Sequence, residues 1–389
     1  MRNSVVVKNF FSVAFIAGII LACIVVIAQF ALQSKSTNLN LEVDSTLVEK
    51  SDLSFVVLRG DKLGYIDGLG KIVIEPQFDD AYQFHEGFAA VMVNSEKGHK
   101  WGYIDKSGKF IASPQFRRNR YFSEGLAGVS IYEANGWESN DGYIDTTGRV
   151  VIQPNLRVGY EFSEGLASVV LAKGNKYGFI DRTGKIVIKP QFDFVLPFSE
   201  GLANVEYKGK DGFIDKNGNW VIKPKYESAY YFSDSLAAVK LKEKWGYIDK
   251  QDKIIIQPVF DSADPFYEGL AKIGAKGKQG FDYKFGFIDT TGKVVVEPQF
   301  DYAEHFSEGM AAVRVNGKFG FIDKTGKIII QPQFDSWRSF KDGYALVGLC
   351  DLNDPRYGHL SSQYRAFLTM NCKWGYIDKT GKYLYEPSN

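Results

Sequence analysis

The feature that most constrains this fold is a tandem repeat. Gly320 opens the stretch GFIDKTGKIIIQPQFD, and the same Gly-[Tyr/Phe]-Ile-Asp start recurs at Gly64, Gly102, Gly142, Gly178, Gly212, Gly246, Gly286 and Gly375. In each of the nine copies a proline stands twelve residues after the glycine, from Pro76 to Pro387, while the spacers between copies vary. A period of 34 to 40 residues replaces the two or three ordinary domains that 389 residues would otherwise allow.

Within a copy the apolar pattern has period two or short runs and never a sustained 3.6 period, so the unit is built from strands. Residues 311–315 read as a first strand, 318–323 as a second and 327–331 as a third. Asn316-Gly317 supplies the two positive-φ positions of a type I′ turn, which pairs Val315 with Lys318 and Val313 with Gly320. In Asp323-Lys324-Thr325-Gly326 the aspartate can bond amides two residues on, and the glycine takes the left-handed position. The unit is therefore expected to be a three-stranded meander ended by its proline, which cannot donate to a ladder. Segments such as Phe306-Ser307-Glu308-Gly309 then lead to the next unit, with their phenylalanines packed between units. Counted this way, nine whole units run from Leu53 to the strand at residues 383–385. One such unit cannot offset its own ordering entropy, about 1.5 kcal/mol per residue, so stability comes from stacking. An open superhelix is expected in preference to a closed ring, because propellers typically have about 4 to 8 blades of four strands and here the count is nine of three.

Lys-Trp-Gly-Tyr-Ile-Asp occurs at Lys100, Lys244 and Lys373, and Tyr177, Phe285 and Phe319 precede the glycine elsewhere. Residues 53–389 thereby resemble the bacterial WG-repeat family, also called KWG repeats. Departures are Leu63, Asp141 and Asp211 in place of the aromatic, Ser235 for the glycine of Glu-Gly-Leu-Ala, and Asp252 for the turn glycine. The resemblance implies an all-β repeat, often exported or membrane-tethered, that serves as an interaction module without an established activity. It supplies no catalytic residues.

Residues 9–34 carry no charge and 10–32 are almost wholly apolar, enough at 1.5 Å per residue to span a core of roughly 30 Å as one transmembrane helix. The expected organisation is an anchor at 1–33, a flexible tether rich in Ser, Thr and Asn at 34–52, and the repeat array at 53–389. Arg2 and Lys8 before the apolar run, against Lys35 behind it, place the repeats outside the cytoplasm, in the periplasm or at the cell surface. Two rival readings fit less well. Ile20-Leu21-Ala22-Cys23 resembles a lipoprotein cleavage box, but the apolar run continues for nine residues beyond it. A cleaved signal peptide has a shorter apolar region, about 7 to 15 residues.

With 47 basic and 46 acidic residues the chain has no long-range field to gather nucleic acid. The nine repeat aspartates stand one per unit, whereas a calcium loop needs several oxygens within a dozen residues. Gly64 to Lys71 misses the phosphate-loop spacing, the four histidines share no ligand spacing, and no nucleophile elbow is present. No catalytic residue, metal site or cofactor is assigned. The expected role is binding of a protein partner, with a cell-envelope glycan as the alternative.

Three sets of residues are candidates. Insertions after Ile131, Ile273 and Leu349 fall on one edge of the array and carry Trp137, Phe281 and Tyr283, which either contact a partner or pack within their loops. After the repeat proline most units place an acid (Asp79, Asp193, Glu227, Asp261, Asp301, Asp335), but two place Arg117 and Arg157. With Arg118 and Arg120 these form either one basic surface for an acidic partner or anionic polymer, or a plain solvated face. Finally, the hairpin register carried to the last unit sets Cys350 opposite Cys372, with Cβ atoms about 4.5 to 5.5 Å apart. With Cys23 inside the apolar run, an exported chain has these two as its candidate disulfide, and a cytoplasmic chain would keep two free thiols.

Overall fold

The structure, a computed structural model, describes residues 54–95, 98–132, 139–277, 283–350 and 372–386. The anchor and tether expected over residues 1–52 lie outside the described residues. Among the described residues no helix is long and apolar enough to cross a membrane. Every named element is a β-strand, and every sheet runs in chain order.

Unit 1 consists of β1 (Phe55–Arg59), β2 (Lys62–Ile66) and β3 (Ile72–Phe78). Unit 2 has four strands, β4 (Asp80–Ala81), β5 (Phe88–Ser95), β6 (Gly98–Asp105) and β7 (Phe110–Phe116). Unit 3 follows with β8 (Arg118–Ser123), β9 (Leu126–Tyr132) and β10 (Ser139–Asp145). Its last strand is the first half of β11 (Val150–Ser163), whose second half opens unit 4. Units 5 to 9 cover residues 194–226, 228–260, 262–300, 302–334 and 336–385, each a four-stranded sheet.

Two expectations about the unit are corrected. The meander has four strands rather than three, except in unit 1. The additional strand is as short as two residues, as at Phe194–Val195, and so brief a segment carries no readable alternation. The proline does not end its strand either: Ile186–Phe192 runs through Pro190, with a register shift between Tyr177↔Phe192 and Phe179↔Ile188. This bulge folds the strand onto Gly178 so closely that a Cβ there would lie 2.5 Å from the Ile188 oxygen and 2.7 Å from the Pro190 nitrogen. Glycine and proline are two sides of one contact, which is why their offset is fixed while the spacers vary. The hairpin register has Val315 paired with Lys318 and Val313 with Gly320, as the turn predicts.

Each core lies between consecutive sheets. Phe179, Ile188 and Phe192 of unit 4 pack with Val195, Phe198, Ala203, Val205 and Ile214 of unit 5. Phe198, just after the short strand, meets Phe179 edge to face at 4.9 Å, and Phe232 meets Phe213 at 4.8 Å one step on. The Glu-Gly turn staples the same interface. Each carboxylate accepts the backbone amide of the next unit's turn, as from Gly125 to Glu86 (2.8 Å), Gly201 to Glu164 (3.0 Å) and Gly343 to Glu308 (2.9 Å). The preceding serine donates to the next phenylalanine carbonyl, Ser163 to Phe198 and Ser199 to Phe232 at 2.7 Å each. The staple requires a left-handed backbone at both turn residues, and Ser235 adopts it at φ 67° without being glycine.

The array closes on itself. Phe55, Val57 and Ile66 of unit 1 share a core with Tyr344 and Tyr376 of unit 9. The Tyr376 hydroxyl donates to the Val56 carbonyl (3.1 Å) and accepts from Gln83 (2.8 Å), while Lys341 donates to the Phe84 carbonyl (3.2 Å). The expected open superhelix is thereby overturned in favour of a closed ring of nine units. Phe55 supplies the physical reason. In units 2 to 9 the residue paired with the isoleucine of Gly-x-Ile-Asp is always alanine (Ala89, Ala127, Ala167, Ala203, Ala237, Ala271, Ala311, Ala345). Unit 1 has no described short strand and no phenylalanine following one. Phe55 stands where the alanine would be, and its ring fills the vacant place 4.9 Å from Tyr376.

Candidate partner-binding clefts

The acid that follows most repeat prolines is a structural residue. Asp335 takes Lys318 of the preceding unit at 2.6 Å and the Cys350 amide of its own hairpin at 3.1 Å. Asp79 does the same with Lys62 (2.7 Å) and the Asn94 amide (2.8 Å), and Asp261 with Lys244 (2.5 Å) and the Lys276 amide (2.9 Å). Units 3 and 4 abandon this bridge, since Arg117 and Arg157 stand in the acid's place.

Where the bridge is lost in unit 3, a cleft of about 260 Å³ opens, lined by Arg117, Arg118, Asn119 and Arg120 with Tyr82 and Trp101. Arg118 is anchored by the buried Asp141 at 3.3 Å and by the Ser130 hydroxyl at 3.1 Å. Asp141 is the residue that replaced the aromatic before Gly142, and it also accepts the Gly159 amide at 3.0 Å. Arg120 lies over the Tyr160 ring at 4.5 Å and pairs with Glu161 at 3.4 Å. The structure thus brings three of the four candidate arginines together. Arg157 does not line the cleft; its guanidinium donates to the Gly174 carbonyl at 3.1 Å.

The loop aromatics divide. Trp137 and Phe281 lie outside the described residues. Tyr283 is half-buried at the start of the strand Tyr283–Asp289 and stacks on Phe285 at 6.1 Å, so its contacts are those of packing. Cys350 and Cys372 are paired residues of one hairpin, with Cα atoms 3.9 Å apart and sulfurs within bonding distance.

Sequence reasoning missed a second cleft, of about 560 Å³, between units 8 and 9. Tyr302, Phe319 and Trp337 form one wall, each 5.7 to 5.9 Å from the others, beside Glu304 and Arg338. Burial works against the Glu304 carboxylate, yet hydrogen bonds from His305 and Tyr302 hold its pKa down, to about 2. No spacing in the chain singles out these residues, because Tyr302 and Glu304 sit in the short strand and its extension, which have no repeat signature. The repeat aspartates are turn residues: Asp323 accepts the Thr325 and Lys327 amides at 2.9 and 3.1 Å. Among the described residues no group of three or more His, Cys, Asp or Glu is placed to hold a metal ion.

The sequence profile of the WG containing repeat matches residues 64–96, 101–133, 142–177, 177–210, 212–245, 245–278, 285–319 and 319–349. The chain belongs to this family. Those eight matches begin at or near the glycine, so each WG repeat runs from the second half of one sheet into the first half of the next. Unit 9 therefore ends with its last two strands beyond the final match. No curated protein matches the sequence. Among solved structures, that of a eukaryotic initiation factor is similar over 87 % of this chain and 96 % of its own, at 14 % identity and a TM-score of 0.59. At that identity the likeness speaks for the propeller-like fold alone. Virginiamycin B lyase from Staphylococcus aureus aligns over 63 % of this chain and 92 % of its own at 15 % identity, and its TM-score of 0.33 carries no argument.

Proposed function

We propose that this WG-repeat chain is a membrane-tethered scaffold, held outside the cytoplasm by its N-terminal segment, that binds a partner protein and carries out no reaction of its own. The observation that supports it most is where the repeat breaks its own building rule. The acid-to-lysine bridge is given up at Arg117, and the residues that depart from the pattern there line the basic cleft. A ring that carries this basic, aromatic-walled cleft fits an acidic group on a partner better than it fits chemistry. Among the described residues His85 lies against Tyr121, His99 against Asn94 and His305 against Glu304, with no bond there to a Ser, Thr or Cys.

The test is partner capture with the full-length protein in its native host. Arg117→Glu is expected to abolish capture, with folding checked by thermal melting. Arg118 is unsuitable for this purpose because it neutralises the buried Asp141. Capture unaffected by Arg117→Glu would exclude the cleft. A glycan reading is favoured by one observation, the Tyr82 and Trp101 rings 5.0 Å apart beside the arginines, an arrangement that suits a sugar acid. Binding to acidic glycans that is lost on Trp101→Ala, without protein capture, would favour it.

A further inference from the structure

Unit 1 is the only unit with three described strands, and the eight other units show what is missing. In those units the first strand pairs with the second through its outward carbonyls and amides, as when the Asp193 amide donates to the Glu206 carbonyl and the Leu196 amide to the Asn204 carbonyl, both at 2.9 Å. By register, Val56 and Leu58 are the residues of β1 that face the empty side. Val56 is capped by Tyr376; Leu58 has no described partner strand, and its side chain is 44 % exposed.

The charges around this edge are as incomplete as the strand. Five interfaces place a lysine of one unit on the acid that starts the next unit's first strand, at Lys62–Asp79, Lys176–Asp193, Lys244–Asp261, Lys284–Asp301 and Lys318–Asp335. The equivalent lysine facing unit 1 is Lys373, which is exposed and has no ion pair among the described residues. The Gly60 amide likewise occupies the position of the Lys208 amide, which bonds Asp193 at 3.0 Å, and has no described acceptor. One acidic residue on an added strand would satisfy both.

We infer that the free edge of β1 is a docking site for an extended, acidic segment of a partner protein, paired antiparallel to β1 with its carboxylate on Lys373. The inference rests on the scaffold reading above and names a site for it separate from the arginine cleft. The chain's own upstream sequence does not match the template. In the complete units the acid lies ten residues before the alanine and the phenylalanine five before it; counted back from Phe55, those positions hold Ser45 and Lys50. A partner segment with an acid followed two residues on by a small apolar residue, as in Asp193 and Val195, meets every group the edge presents.

The experiment uses the full-length protein and a fluorescent peptide copying residues 191–197, which stops short of the phenylalanine whose place Phe55 already fills, read by anisotropy. Saturable binding is expected, weakened tenfold or more by Lys373→Glu and by Lys373→Met. A peptide carrying Asp193→Lys should bind the Lys373→Glu protein better than the native one. Absence of saturable binding, or binding that both Lys373 variants leave unchanged, overturns the inference. Native-host capture that survives Lys373→Glu but not Arg117→Glu would remove the edge as the partner site while leaving the scaffold reading intact. If the unaltered protein captures nothing, the scaffold reading fails and the peptide titration alone decides the edge.

Discussion

Two interfaces of the ring solve the same packing problem with different residues. Between units 5 and 6, Phe232 follows a short strand and meets Phe213, Ala237 leaves room for it, and Ser199 and Glu200 staple the turn, the latter through the Ser235 amide at 3.0 Å. Between units 9 and 1 no such phenylalanine stands among the described residues, and the ring arrives instead from β1 itself, at the alanine position. Lys341 does at that seam what serine does elsewhere, reaching past unit 1 to the Phe84 carbonyl of unit 2. Stacking and closure are therefore separately encoded: the repeat specifies how units pile up, and a few residues outside its pattern specify that the pile meets its own start.

The widest contrast is expected from removing the two aromatic rings. Phe55→Ala and Phe232→Ala should each cost about 3 to 5 kcal/mol, measured by chemical denaturation. Only Phe55→Ala should enlarge the radius in solution scattering, since units 5 and 6 stay joined by the chain and units 9 and 1 do not. An unchanged radius would show that closure does not depend on Phe55. Next comes the bridge between Cys350 and Cys372, whose sequence separation is 22. Its reduction should cost about 2 to 4 kcal/mol, concentrated in unit 9, and two free thiols in non-reduced mass spectrometry would sink both the bridge and the proposed export.

Acid should separate the regions in the opposite sense. The side-chain bond from Thr147 holds Asp145 down, to about 2, and bonds from Ser107, Thr183, Thr291 and Thr325 lower Asp105, Asp181, Asp289 and Asp323. A carboxyl depressed by folding stabilises above its unfolded pKa, about 3.9, and that contribution disappears as pH falls through the folded value. Hydrogen exchange should therefore rise in these turns between about pH 4 and pH 2. The seam, held by hydroxyl, amide and ammonium donors, should change less. The smallest effect is expected from Ser199→Ala, about 0.5 to 1.5 kcal/mol, and a similar loss from Lys341→Met would show that the two donors are equivalent.

Much of the stacking was legible because the repeat prints each interface many times: the hairpin register, the turn aspartates and the count of nine are all readable from spacing. The fourth strand was not, since two residues such as Asp80 and Ala81 give no period. Closure was hidden for a different reason. Phe55 looks like any strand residue until it is aligned with the eight alanines, and the register that aligns them depends on knowing the pairing. Of the candidate site, Arg117 was visible as a departure from the acid pattern. Its separation from Arg157 was not visible, because β11 carries Arg157 toward the Gly174 carbonyl instead.

Among the described strands β1 pairs on one side only, and this also has a mechanical consequence. Any pull exerted through the preceding chain enters the ring at Phe55, the residue that keeps the seam shut. Tension on the proposed tether would thus be delivered straight to the joint rather than spread around the circle, so the loop should part at the point where it is held while the other eight joints bear little strain.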